Sequence, residues 1–162
     1  MPNPLFTTLI LLSALASAPL AAETPTAVFG FEIYDTSGEG RNPEHDARLA
    51  MASALLRDAL DTRAGYNVIS LDRYADAIAE AGYLEGCNGC ELPLARAAGA
   101  QWSVRGLVHK VSTLILYLRI TVTDAHTGTV IREASAGIRG DNDRAWQRGI
   151  LYLVDNALTP AP

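Results

Sequence analysis

Lysine is all but missing from this chain: Lys110 is the single one among 13 basic residues, the rest being scattered arginines, and the formal net charge is −5. Nucleic-acid binders carry a basic stripe, and none is visible, so nucleic acid and anionic membrane surfaces are not expected partners. Catalytic signatures are missing as well. There is no G-x-S-x-G elbow and no H-E-x-x-H pair, and the three histidines, His45, His109 and His126, stand far apart. Each is expected to be solvated rather than catalytic. The 18 acidic residues supply carboxylates, but no two can be assigned to one pocket from spacing alone. Ser37-Gly38-Glu39-Gly40-Arg41 falls where a phosphate loop would lie. It lacks a third glycine at the helix start, Pro43 removes a donor, and Glu39 would repel phosphate, so it is read as a plain loop. Arg139-Gly140-Asp141 is read as a strand-to-helix turn. No catalytic residue, cofactor or resident metal is expected on these grounds.

Long apolar runs are also lacking, with one exception at the start. Leu5 to Ala18 is apolar, and no charge precedes Glu23. Such a stretch is too short to span a bilayer as a helix and fits the core of a secretory signal peptide. Residues 1–22 are therefore expected to be a signal, cleaved after Ala18, Ala21 or Ala22, although no basic residue precedes the apolar run. The expected location is the periplasm. No cysteine lies near the cleavage region, which argues against a lipid anchor, and no membrane segment is expected after cleavage. Residues 23–162 suit one domain, since a chain of roughly 140 residues can bury about two-thirds of its unfolded surface.

Within that domain the apolar period changes once. Ala27 to Tyr34 reads as a buried strand rich in aromatic and β-branched residues. Asn42-Pro43 starts a helix whose Leu49, Ala52, Leu56, Ala59 and Leu60 recur at helical spacing up to Gly65. Tyr66 to Ser70 is a second strand, and Asp72 caps a helix with Tyr74, Ile78 and Ala81 on one face, closed by Gly82. A short helix over about 91–98 ends at Gly99. From Trp102 the period is two. Trp102 to Val111 is one strand, Leu114, Leu116, Leu118, Ile120 and Val122 alternate with Ile115, Tyr117, Arg119, Thr121 and Thr123 in the next, and Thr129 to Ile138 returns after the Asp124–Gly128 hairpin loop. Asp141 or Asn142 caps a last helix with Trp146, Ile150, Leu153 and Ala157 inward. The order β-α-β-α-α-β-β-β-α predicts an α/β (α+β) fold, a mixed sheet of about five strands with helices packed on it. The first two strands are expected to be parallel and the last three to form an antiparallel meander.

Cys87-Asn88-Gly89-Cys90 is the local motif with chemical content, and these are the only cysteines. Asn-Gly favours a tight turn that could bring the sulfurs together. Three readings are open: a structural disulfide in an oxidising compartment, a redox-active pair, or part of a metal site. Covalent haem is excluded because Glu91 stands where C-x-x-C-H requires histidine.

Several stretches are familiar together. They are the first strand ending in Tyr34-Asp35, the capped helix 49–60, Tyr66-Asn67-Val68-Ile69, the run Ala95-Arg96-Ala97-Ala98-Gly99-Ala100-Gln101-Trp102, and the Asp124-Ala125-His126-Thr127-Gly128 hairpin. The chain resembles the exported domain shared by the N-terminal part of TolB and the curli-secretion CsgG-like proteins. It departs from that group in carrying Gln101 where an aspartate follows Gly-Ala, and no β-propeller follows. Cys87-x-x-Cys90, Lys110-Val111-Ser112 and Ile138-Arg139-Gly140-Asp141 with Trp146 resemble a bacterial family of exported proteins of unknown function. The resemblance implies a non-catalytic accessory protein that contacts envelope or periplasmic proteins, in support of an enzyme system such as a quinoprotein dehydrogenase. The alternative is a small thiol-disulfide or metal-handling protein using Cys87 and Cys90.

Overall fold

The structure is a computed structural model, and it describes residues 24–40 and 42–159. The expected signal segment, residues 1–22, lies outside the described residues, as does Arg41. The elements run β1 (Pro25–Asp35), α1 (Glu44–Arg63), β2 (Asn67–Ile69), α2 (Ala75–Ala81), α3 (Glu91–Ala97), β3 (Trp102–Ser112), β4 (Ile115–Asp124), β5 (Val130–Arg139) and α4 (Asp143–Leu153). This is the expected order. The sheet order is β2-β1-β3-β4-β5, with β1 parallel to both β2 and β3, and with β3, β4 and β5 antiparallel in sequence.

α1 and α4 cover one face of the sheet. Val104, Val108, Leu116, Leu118, Ile120 and Val122 on the strands meet Leu56, Leu60, Trp146 and Ile150 on the helices, all in one buried cluster. The period-two pattern of β4 is therefore what buries this face. Leu114, expected to open the alternating pattern of β4, instead lies in the β3–β4 turn and is 70% exposed. The strand begins one residue later, after a bulge between Lys110 and Ser112 uses up the register. Two glycines make room for close packing. A Cβ on Gly106 would stand 2.4 Å from the Phe31 ring, and one on Gly149 2.5 Å from Leu118.

The caps are mostly where the sequence places them. The Asn42 side chain accepts from the Glu44 N–H at 2.9 Å, and the Asn142 side chain accepts from the Ala145 N–H at 3.0 Å. The end of α4 differs from expectation. Its last turn widens into a π-turn over Val154–Leu158, which rotates the phase so that Val154 and Leu158 are buried and Ala157 faces solvent. A 3.6-residue extrapolation cannot anticipate an inserted wide turn.

β1 carries a second irregularity. Its register with β3 shifts between Val28 and Gly30, and Gly30 adopts φ +91°. The Phe31 N–H donates to Ser53 Oγ at 2.8 Å, and Ser53 Oγ donates to the Leu49 carbonyl at 2.7 Å, so α1 pins the bulge. Before the bulge Val28 points to the α1 side. After it Phe31 and Ile33 do, and Tyr34 joins the opposite face.

Candidate functional site

That opposite face is only half covered. At one end Ala27 and Phe29 of β1 pack with Ala95, Ala100 and Ala125, which seats α3 on the sheet. At the other end no helix among the described residues covers the strands, and the boundary between the two halves is built from charge.

Glu32 on β1 accepts from the backbone N–H groups of Leu84 and Glu85, both at 2.8 Å. This fixes the turn Leu84–Gly86 over the sheet. Arg105 on β3 donates from Nη1 to the Leu84 carbonyl at 3.0 Å and pairs through Nε with Glu91 Oε1 at 2.8 Å. Arg119 on β4 pairs with Glu85. Cys87 and Cys90 sit in the segment so held, with their Cα atoms 5.6 Å apart and their sulfurs at bonding distance. Asn88 has φ 54° and Gly89 φ 97°, the left-handed pair that Asn-Gly tolerates and that closes the four-residue loop. The pair does not stand at the end of a strand. It follows a turn and immediately precedes α3.

Beyond this boundary lies a groove of about 620 Å³ lined by Tyr34, Tyr83, His109, Tyr117, Arg119 and neighbouring residues. Tyr34, Tyr83 and Tyr117 are 53%, 44% and 50% exposed. The rings form a stripe across three strands, with centroids 5.2 Å apart for Tyr34–His109 and 6.4 Å for His109–Tyr117. His109 Nε2 lies 2.9 Å from Thr36 Oγ1, which also donates to the Lys110 carbonyl at 3.2 Å. Burial first, then the carboxylates of Glu32 and Glu85, push the Tyr83 hydroxyl above its ordinary pKa, so it remains a proton donor at neutral pH. The groove offers aromatic surface and hydrogen-bond donors. The described residues place no nucleophile–base pair in it.

Two further charge clusters lie outside the groove. His45 and Arg48, on the first turns of α1, are buried. His45 Nε2 is 2.7 Å from Asp141 Oδ2, Arg48 Nη1 is 2.8 Å from Asp141 Oδ1, and Arg48 Nε is 2.8 Å from Asp143 Oδ1. The guanidinium also lies over Trp146 at 5.6 Å. The expectation of a solvated His45 is therefore corrected. The turn 139–141 folds the Asp141 carboxylate under α1, a pairing nearly a hundred residues apart that no local pattern could reveal. The second cluster forms around Lys110. Its Nζ reaches Glu39 Oε2 at 2.8 Å, Ser37 Oγ at 3.1 Å and Asp35 Oδ2 at 3.3 Å. Burial alone would lower the ammonium, but Glu39 and Asp35 outweigh it and raise its pKa. Glu39 in turn is pushed down to about 2, first by Lys110 and then by Thr113. The loop after β1 thus closes on the protein's own lysine. His126 is exposed in the hairpin loop.

Fold and site together define a small α+β domain whose sheet is fully covered on one face and half open on the other. Residues 24–158 match the profile of the DUF3280 family, described as "Protein of unknown function (DUF2380)", and the chain belongs to that family. Among curated proteins none matches it. Similar solved structures include the LpoB C-terminal domain from Salmonella enterica. Its TM-score is 0.56 at 17% identity, covering 74% of this chain and 85% of that one. The PelC dodecamer from Paraburkholderia phytofirmans has a TM-score of 0.54 at 15% identity, covering 88% and 92%. Escherichia coli LpoB, solved by NMR, has a TM-score of 0.54 at 13% identity, covering 86% and 81%. At these identities the likeness is one of fold.

Proposed function

We propose that this protein is a non-catalytic accessory protein of the bacterial envelope that binds another protein through the half-open sheet face. The observation that carries the reading is the stripe of Tyr34, His109 and Tyr117, bordered by Tyr83, exposed beside a fixed charged ridge. Exposed aromatic clusters next to arginine are the composition of protein-binding hot spots. The occupant that suits it is a partner protein presenting an apolar segment with a charged flank, to meet both the rings and the Arg119–Glu85 pair. In this reading residues 1–22 direct export, residues 23–162 form a single domain of the TolB N-terminal and CsgG-like kind, and the Cys87–Cys90 pair is oxidised in the exported protein. The partner belongs to an envelope or periplasmic enzyme system, a quinoprotein dehydrogenase being one such system.

The test is site-specific crosslinking in cells from position 117, with identification of the captured protein and repetition in a Tyr34→Ala/Tyr83→Ala background. The expected result is one reproducible envelope partner whose capture falls at least tenfold in that background while the melting temperature stays unchanged. Capture that is indifferent to the substitutions, or no reproducible partner, refutes the reading.

A further inference from the structure

Glu91 is a buried carboxylate that the contact surface does not use. Its side chain is 1% exposed, and Arg105 occupies Oε1 at 2.8 Å. Oε2 is buried with no hydrogen-bond partner among the described residues. A buried carboxylate oxygen without a donor is costly, and such groups mark missing ions, waters or chemistry. One carboxylate oxygen of Glu91 and the sulfurs of Cys87 and Cys90 all lie within 4.8 Å of one another. While the sulfurs are bonded to each other they carry no proton to donate and no charge to share.

We propose that reduction of the Cys87–Cys90 bond opens a site for one divalent zinc-class ion, held by both sulfurs and the Glu91 carboxylate. A dithiol reductant supplies two electrons and two protons. Its thiolate attacks one sulfur to give a mixed disulfide, its second thiol closes its own disulfide, and Cys87 and Cys90 are left as thiols. The ion then displaces both thiol protons. Ligand atoms around tetrahedral zinc stand about 3.5–4 Å apart, given Zn–S near 2.3 Å and Zn–O near 2.0 Å, so the two sulfurs, once reduced, must part by about 2 Å. With the Cα atoms 5.6 Å apart, rotation of the two side chains supplies that separation. Charge also balances, because two thiolates and one carboxylate face the divalent cation and the Arg105 guanidinium. Arg105 holds the carboxylate in place through Oε1. Three protein ligands leave the fourth position of the ion to water or an incoming group. The site does not depend on the contact surface, and either can fail alone.

The experiment uses the exported protein, oxidised or reduced with a water-soluble phosphine under argon, titrated with Zn²⁺ against a chromophoric chelator. Co²⁺ is substituted in parallel to read thiolate-to-metal absorption. The expected result is one Zn²⁺ per reduced chain, none per oxidised chain, and thiolate–cobalt bands only after reduction. Cys90→Ser should abolish binding, and Glu91→Gln, which keeps the acceptor for Arg105, should weaken it at least tenfold. Reduced wild-type protein that takes up no Zn²⁺ and shows no thiolate–cobalt band overturns the proposal whatever the variants do. Equal affinity in oxidised protein, or unchanged affinity in Glu91→Gln, overturns it too.

Discussion

Asp141→Ala should be among the most damaging single substitutions outside the apolar core. The Asp141 side chain is 4% exposed and is shared by His45 and Arg48, both also buried. Removing one partner of a buried ion pair costs about 3–5 kcal/mol, because the remaining charge is left uncompensated. Arg48 retains Asp143 and Glu44, although both are mostly solvent-exposed, which places the expected loss at the lower end, about 3 kcal/mol. A domain of ~140 residues unfolds with an entropy near 0.3 kcal/mol/K, so the melting temperature should fall by about 10 °C. Urea unfolding followed by tryptophan emission is a suitable assay, since Trp146 lies under the Arg48 guanidinium and reports the cluster directly. Glu44→Gln is the matched control. It removes a pair at the surface and should cost under about 1 kcal/mol. A loss for Asp141→Ala below about 1 kcal/mol, with an unchanged denaturant slope, would show that the cluster does not hold α1 to the start of α4.

The Cys87–Cys90 bond closes a loop of four residues, and the chain-entropy relation then gives only about 2 kcal/mol for it. Cys87→Ser/Cys90→Ser should therefore leave a folded domain, melting a few degrees lower by calorimetry, and failure to fold would contradict this. Gly106→Ala forces a methyl group into the Phe31 ring and should cost about 1–3 kcal/mol in chemical denaturation, whereas Gly38→Ala meets no atom within 4 Å and strains only its own φ of +70°. The Glu39 carboxyl titrates at about 2 in the folded protein, below its ordinary value of 4.5. A depressed carboxyl contributes stability that is present above its unfolded pKa and is lost as pH falls through the folded one. The 36–40 loop should therefore stay fastened to Lys110 at pH 4.5 and loosen only as pH approaches 2. NMR titration of the Thr113 amide, which donates to Glu39 at 3.1 Å, reads this, and a midpoint near 4.5 would refute it.

Much of the fold was legible because its determinants are local. The alternation from Leu116 to Val122 marks a half-buried strand, Asn42 and Asn142 mark helix starts, and Gly128, at φ +73°, marks the hairpin as expected. The charge clusters were not legible, because each joins residues distant in sequence: His45 with Asp141, Lys110 with Glu39, Arg105 with Glu91. The lone lysine was a usable signal. A solitary Lys in an arginine-rich chain sits in a strand otherwise bound for the core, which marks Lys110 for attention without naming Glu39 or Asp35 as its partners. The groove was invisible for another reason. Tyr34 lies in an apolar run whose strict alternation with Val28 would send it inward.

The Gly30 bulge corrects that alternation, and with it the protein's outward identity. Phe29 and Gly30 together stand against Arg105 alone, so the bulge absorbs the extra residue and keeps Tyr34 on the surface. Deletion of Gly30 would remove the kink and leave Phe31 toward α1 and Tyr34 toward the groove. Keeping the residue and flattening the bulge would exchange faces, turning Phe31 toward the groove and Tyr34 toward α1. The recognition surface thus depends on a backbone irregularity held by Ser53, at a position that contributes no side chain to it.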